Sequence, residues 1–186
     1  MKIYKALKGS MLGQGFECHK WMESFYEGLG MKKGLHGGYD WGATNGQVIW
    51  YDCDVPGYVL NTETDSCGGL GINIITQDAS GIFKHRYWHL KSFLVKAGDK
   101  VEMGDAIGLA DNTGLSTGTH LHRDMKEMEK NTYGSLSIKN RNNGTFGTIE
   151  YKTEKEFVLD VLPSGESIRK QALMLFNVLM KKLKVA

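Results

Sequence analysis

The segment Thr119-His120-Leu121-His122 carries two histidines two residues apart. On a β-strand they face the same way, because successive side chains alternate between the two faces. Earlier in the chain, His36-Gly37-Gly38-Tyr39-Asp40 offers a third imidazole and a carboxylate four residues apart. Three nitrogen and oxygen ligands with one position left open is the plan of a hydrolytic zinc site; a structural zinc site is closed by four ligands. Gly37-Gly38 argues against a helix between His36 and Asp40. A glycine-rich turn entering a strand is expected instead, with both donors converging on one point. Taken singly, each pair would also suit an ordinary solvated surface.

A further run, His85-Arg86-Tyr87-Trp88-His89-Leu90, alternates too. It places His85, Tyr87 and His89 on one face and Arg86, Trp88 and Leu90 on the other. His89 is a candidate acid or hydrogen-bond donor beside the same metal. His85 reads as an exposed residue or one standing behind the ligands.

Elements must hold these groups in place. His19 to Leu29 is expected to form a short helix, with Trp21, Phe25 and Leu29 at i, i+4, i+8 and Gly30 closing it. From Gly46 to Leu121 the pattern changes to short strands between glycines: 47–51, 58–61, 71–76, 83–90 and 106–109. Residues 140–147 read as a hairpin tip or exposed loop. After Pro163-Ser164-Gly165, the residues Ile168, Ala172, Leu175, Leu179 and Leu183 share one helical stripe, followed by Lys181, Lys182 and Lys184 near the helix end. The expected organisation is a β-rich unit over 1–165 and an amphipathic helical extension over 166–186, packed on that unit or serving as a docking or membrane-touching helix.

The bulk numbers exclude several classes. A net charge of +2 gives no electrostatic case for nucleic acid. No stretch approaches the roughly 18 apolar residues of a membrane span. The first residues lead into no apolar run suited to a signal peptide. Cys18, Cys53 and Cys67 contain no Cys-x-x-Cys pair, which excludes a thiolate zinc knot. A Cys53–Cys67 bridge is conceivable across a hairpin, but free buried thiols are the expectation.

Read together, these segments resemble the lysostaphin-type zinc metallopeptidases that cut peptidoglycan peptides. The resemblance runs from Gly13 to Pro163. It includes Gly13-Gln14-Gly15-Phe16, the segment Leu35–Ala43 with its His-x-Gly-x-Asp-like core, and Tyr87-Trp88-His89-Leu90. It continues through Val95–Val101 and Gly104–Gly108 to Thr113–His122. Several motifs in order are more specific than any one of them. The resemblance implies a compact antiparallel β-barrel or sandwich with a groove over one zinc per chain. It implies that His36, Asp40 and His122 hold the metal. It implies that His120 and His89 flank the attacking water, His120 as base and His89 as a donor to the oxyanion. Walls around 61–67 and 111–116 would line the groove, and the substrate would be a peptidoglycan peptide.

One departure stands out. The family usually continues after His122 with an apolar or aromatic residue, whereas Arg123-Asp124-Met125 follows here. By alternation Asp124 faces the side of His120 and His122, so it could orient a histidine from behind. Asp124, Tyr87 and His85 are therefore the candidates for that supporting position. Two other readings remain. The run Val95–Gly108 also resembles biotinyl, lipoyl and sugar-phosphotransferase carriers, and a family member without activity could bind or scaffold the wall. The complete set of five positions favours the peptidase. The absent leader and complete site also fit a phage or prophage product, made in the cytoplasm and acting at the cell wall. It would be released on lysis or attached to a tail or particle through the C-terminal helix.

Overall fold

A computed structural model describes residues 1–132 and 134–154 of the chain. The helical stripe expected over 166–184, the boundary at 165 and any attachment through that helix lie outside the described residues.

The fold is mainly β with one short α-helix. In chain order the elements are β1 (Leu12–Gln14), α1 (Glu23–Gly28), β2 (Tyr39–Gly42), β3 (Val48–Trp50), β4 (Gly57–Asp65) and β5 (Gly69–Asp78). They continue with β6 (Gly81–Phe93), β7 (Lys100–Val101), β8 (Ala106–Ala110), β9 (His120–Lys130) and β10 (Leu136–Ile138). All named pairings are antiparallel, in the order β1-β2-β9-β6-β5-β4-β7, with β10 beside β9 and β3 beside β8. The expected barrel is corrected here: among the described residues the sheet branches and does not close. The reason is β6. Its residues 82–88 pair with β9, and its residues 90–93, with a bulge between Leu90 and Ser92, pair with β8. Such a bulge bends a strand and strengthens its twist.

All five expected strands exist, and those over 58–61, 71–76 and 83–90 extend further than their apolar runs. The core joins Ile49, Tyr51, Ile72, Ile74, Tyr87, Leu90, Ile107 and Leu121. The helix is shorter than expected. Lys20–Met22 forms a 3-10 turn and only Glu23–Gly28 is α-helical. Its stripe is no core face, since Trp21 is 78% exposed and Phe25 39%. Local periodicity cannot show that the sheet already fills its core from its own strands. The thiols are all free, but only Cys53 is buried, while Cys67 is exposed in the turn between β4 and β5.

One charged cluster lies inside the core. Arg123 is 1% exposed and donates to Asp52 Oδ2 at 3.0 Å, to Asp52 Oδ1 at 3.1 Å and to His85 Nδ1 at 2.7 Å. Tyr87 donates to Asp52 Oδ1 at 2.6 Å. Each polar group of this cluster thus has a partner, as burial of a charge requires.

Candidate metal centre

Strand pairing assembles the site from segments far apart in sequence. β2 lies antiparallel to β9, with Asp40 opposite His122 and Gly42 opposite His120. β6 flanks β9 on its other side, with Trp88 opposite His122. Leu121 and Arg123 point into the core, so His120, His122 and Asp124 share the outer face, as alternation requires. Glycine makes room there: a Cβ on Gly38 would overlap the His122 imidazole.

His36, Asp40 and His122 each offer one ligand atom, and these atoms lie within 4.8 Å of one another. His36 Nε2 is 3.3 Å from Asp40 Oδ2, and His122 Nδ1 is 3.0 Å from Asp40 Oδ1. Donors around tetrahedral zinc, with bonds near 2.0–2.1 Å, stand roughly 3.3 Å apart. The spacing therefore fits zinc.

Hydrogen bonds at the back of each ring set its tautomer. His36 donates from Nδ1 to Gly15 O at 3.0 Å, which turns the Nε2 lone pair toward Asp40. His122 is reversed. Its Nε2 lies 3.4 Å from Asp124 Oδ2, leaving Nδ1 for the centre. Asp124 is held in turn by Arg86, whose Nε donates to its two oxygens at 2.8 and 3.0 Å. A carboxylate behind a ligating imidazole, itself anchored, is the usual means of orienting a metal ligand.

His89 and His120 stand beside this group, their ring centroids 4.5 Å apart. His120 donates from Nδ1 to Gly118 O at 2.8 Å, and its Nε2 is 3.5 Å from Asp40 Oδ1. His89 donates from Nδ1 to Thr113 O at 2.7 Å. Simple alternation would have sent His89 into the core with His85 and Tyr87. Instead its φ of 64° puts it in the left-handed region, at the place where β6 leaves β9 for β8. Backbone strain of this kind costs about 1–3 kcal/mol and concentrates at functional sites.

The charges are strongly coupled. Asp40 is held well below the usual carboxylate range; burial opposes this, but hydrogen bonds from His122 and His36 outweigh it. Burial disfavours a charged His122, yet Asp124 and Asp40 push it up to about 9. A cation bound at Nδ1 must displace that proton. Burial, reinforced by His120, pushes His89 down to about 4, so its ring is neutral.

His85 and Tyr87, expected as supporting residues, lie on the other face of β6. They bond to Arg123 and Asp52 and, among the described residues, make no hydrogen bond or ring contact with the donor group. Four contributors escaped the sequence reading. Tyr26 packs its ring on His36 at 5.0 Å and receives a hydrogen bond from Gln14 at 2.9 Å. Burial, and then Asp40, push its hydroxyl up to about 12. Arg86 clamps Asp124, and Trp88 lies over Gly68 and Gly71, where a Cβ would strike its ring. None of the four has a diagnostic spacing. The expected walls do meet, since Leu115 N donates to Cys67 O at 2.7 Å.

Comparison with known proteins gives the family and the fold. The catalytic domain of the antimicrobial peptidase lysostaphin from Staphylococcus simulans superposes with a TM-score of 0.57 at 25% identity, covering 79% of this chain and 94% of that one. LytU gives 0.56 at 25% identity, over 89% and 94% of the two chains. Glycyl-glycine endopeptidase ALE-1 of Staphylococcus capitis is 31% identical over 155 residues, or 72% of this chain. The chain spans only 42% of that relative's length. The model of peptidase family M23 matches residues 34–133, which include every histidine and carboxylate of the donor group, and the chain belongs to that family.

Proposed function

We propose that this chain is a zinc-dependent endopeptidase that hydrolyses peptide bonds in bacterial peptidoglycan. The observation that carries the proposal is the convergence of His36, Asp40 and His122 at zinc spacing, with two more imidazoles beside them. The family match and the relative named a glycyl-glycine endopeptidase support it.

Zinc held by these three side chains would polarise the scissile carbonyl and acidify the attacking water. The chain's own groups perform the rest. With Nδ1–H tied to Gly118 O, His120 presents an Nε2 lone pair that accepts the water's proton. The imidazolium so formed returns that proton to the leaving amine. His89 has the same tautomer, since its Nδ1–H is given to Thr113 O. Its Nε2 is therefore an acceptor, and the role of oxyanion donor inferred from the resemblance is replaced by one of orienting the water. Asp124 keeps the His122 Nδ1 lone pair forward, and Tyr26 supports His36.

The test is digestion of purified cell walls by the zinc-loaded chain, by His120→Ala and by chelator-treated protein. Release of new amine ends by the wild type alone, restored by zinc after chelation, is expected. Wall binding without any release, at full zinc occupancy, would instead favour a binding or scaffold protein.

A further inference from the structure

The face of the sheet that carries the metal ligands continues past them. Along β6 and β9 the facing pairs are Trp88–His122, then Arg86–Asp124, then Lys84–Lys126. Two lysines directly opposite each other on adjacent strands destabilise a sheet. The Asp124 carboxylate acts on both lysines and Glu63 on Lys84, but neither forms an ion pair with them. The Asp124 carboxylate is committed to Arg86 and His122. Glu63 lies close enough to act on Lys84, but its two oxygens accept from Asn73 and Asn61. Lys126 has acceptors, Phe146 O at 2.8 Å and Thr148 Oγ1 at 2.9 Å, and neither is charged. Among the described residues, partly buried Lys84 has no hydrogen bond or ion pair. Arg86, Lys84 and Arg141, the last from the loop that packs over this end, all act as cations on Lys126, against the attraction of Asp124.

A second observation marks the same floor as incomplete. Asn73 is 2% exposed and lies opposite Arg86 in the register. Its Nδ2 donates to Asn61 Oδ1 at 3.0 Å and to Glu63 Oε1 at 2.7 Å, both on β4. Its Oδ1 therefore points away from β4, and it is the buried side-chain atom left without a partner among the described residues. That oxygen is an acceptor and can be met only by a donor such as a peptide N–H, so selectivity for charge rests on the cations alone.

We propose that Lys84, with Lys126, Arg86 and Arg141 around it, is a carboxylate-binding subsite of the substrate groove. It selects peptides that carry a free carboxylate over neutral ones such as polyglycine. This rests on the peptidase reading above and adds the substrate class. The spacing follows from the strands. Arg86 is two residues and Lys84 four residues from the pair that holds His122, or about 7 and 13 Å at the strand rise of ~3.3 Å per residue. An extended peptide lying along this face would place its carboxylate about two to four residues from the bond cut.

The test uses two crosslinked muropeptides of one sequence, one with a free stem carboxylate and one with that carboxylate amidated. The zinc-loaded wild type is expected to cleave the free acid with at least fivefold higher kcat/KM. In Lys84→Met, KM for the acid rises at least fivefold, kcat stays within twofold, and the amidated peptide is unaffected. Lys84→Glu reverses the preference. Because the like-charge pair is relieved, Lys84→Met melts no lower than the wild type, which separates a binding role from a structural one. Calorimetric binding of both peptides to His120→Ala, which lacks the base, gives the preference without turnover. A preference there supports the subsite even if no bond is cut. Cleavage or binding with equal affinity for acid and amide overturns the subsite and leaves the peptidase reading intact.

Discussion

Asp124→Asn is the substitution that best separates a metal-orienting carboxylate from a structural one. The residue is fully buried, with Oδ2 3.4 Å from His122 Nε2 and Arg86 Nε at 2.8 and 3.0 Å. Losing such a partner behind a metal ligand costs 10–100-fold in metal affinity or activity. The 3.4 Å separation is long for a hydrogen bond, and Asn keeps an oxygen acceptor, so the low end applies. We expect zinc affinity to fall about tenfold, or ~1.4 kcal/mol. The same change strips the charge from Arg86's buried partner, and breaking a buried pair costs up to 3–5 kcal/mol. The fold therefore also weakens, and the two effects must be read apart. Zinc affinity is measured by competition with a chelator of known strength, well below the melting transition, beside a denaturant titration. The control is Arg86→Met, which breaks the same buried pair from its other side while leaving the carboxylate on His122. A fall in affinity in Asp124→Asn larger than in Arg86→Met is the predicted result. Unchanged zinc affinity despite lowered stability would refute the reasoning, making Asp124 only Arg86's counter-ion.

Gly38→Ala places a methyl group where the His122 ring stands, so zinc binding is expected to drop at least tenfold, while Gly15→Ala, with open space around it, changes nothing; chelator competition reads both. His85 accepts from Arg123 at Nδ1 and shares its Nε2 proton with Thr76 Oγ1 at 2.8 Å, so burial and then Arg123 keep it neutral, well below its ordinary pKa. The unfolded chain takes up that proton and the folded one does not, so this contribution is complete above about pH 6.5. It is lost at up to ~1.4 kcal/mol per unit as pH falls below that. Denaturant titrations between pH 5 and 7 should show the slope in the wild type and a shallower one in His85→Gln.

The donor residues were legible because metal chemistry restricts residue type, and because strand alternation carries His120, His122 and Asp124 to one face. Their convergence was not, since Asp40 meets His122 only through the β2–β9 register, a pairing with no local signature. His89 shows the limit of alternation. A left-handed backbone at a bulge rotates it out of the phase that His85 and Tyr87 keep, and only the place where β6 changes partners requires that turn. Tyr26 and Gln14 reach His36 by tertiary packing, so no spacing announces them. The apolar stripe of Trp21, Phe25 and Leu29 misled in the opposite direction, because periodicity reports a face but not whether anything covers it.

The most direct test of the central claim is a stoichiometric zinc titration of chelator-treated protein, with peptide-bond cleavage and bound metal measured on the same samples. Activity that rises linearly and saturates at one zinc per chain, and that is absent in Asp40→Ala at any zinc level below precipitation, is predicted. Cleavage at full rate without bound zinc, or saturation of the metal in both proteins with equal activity, would contradict the account.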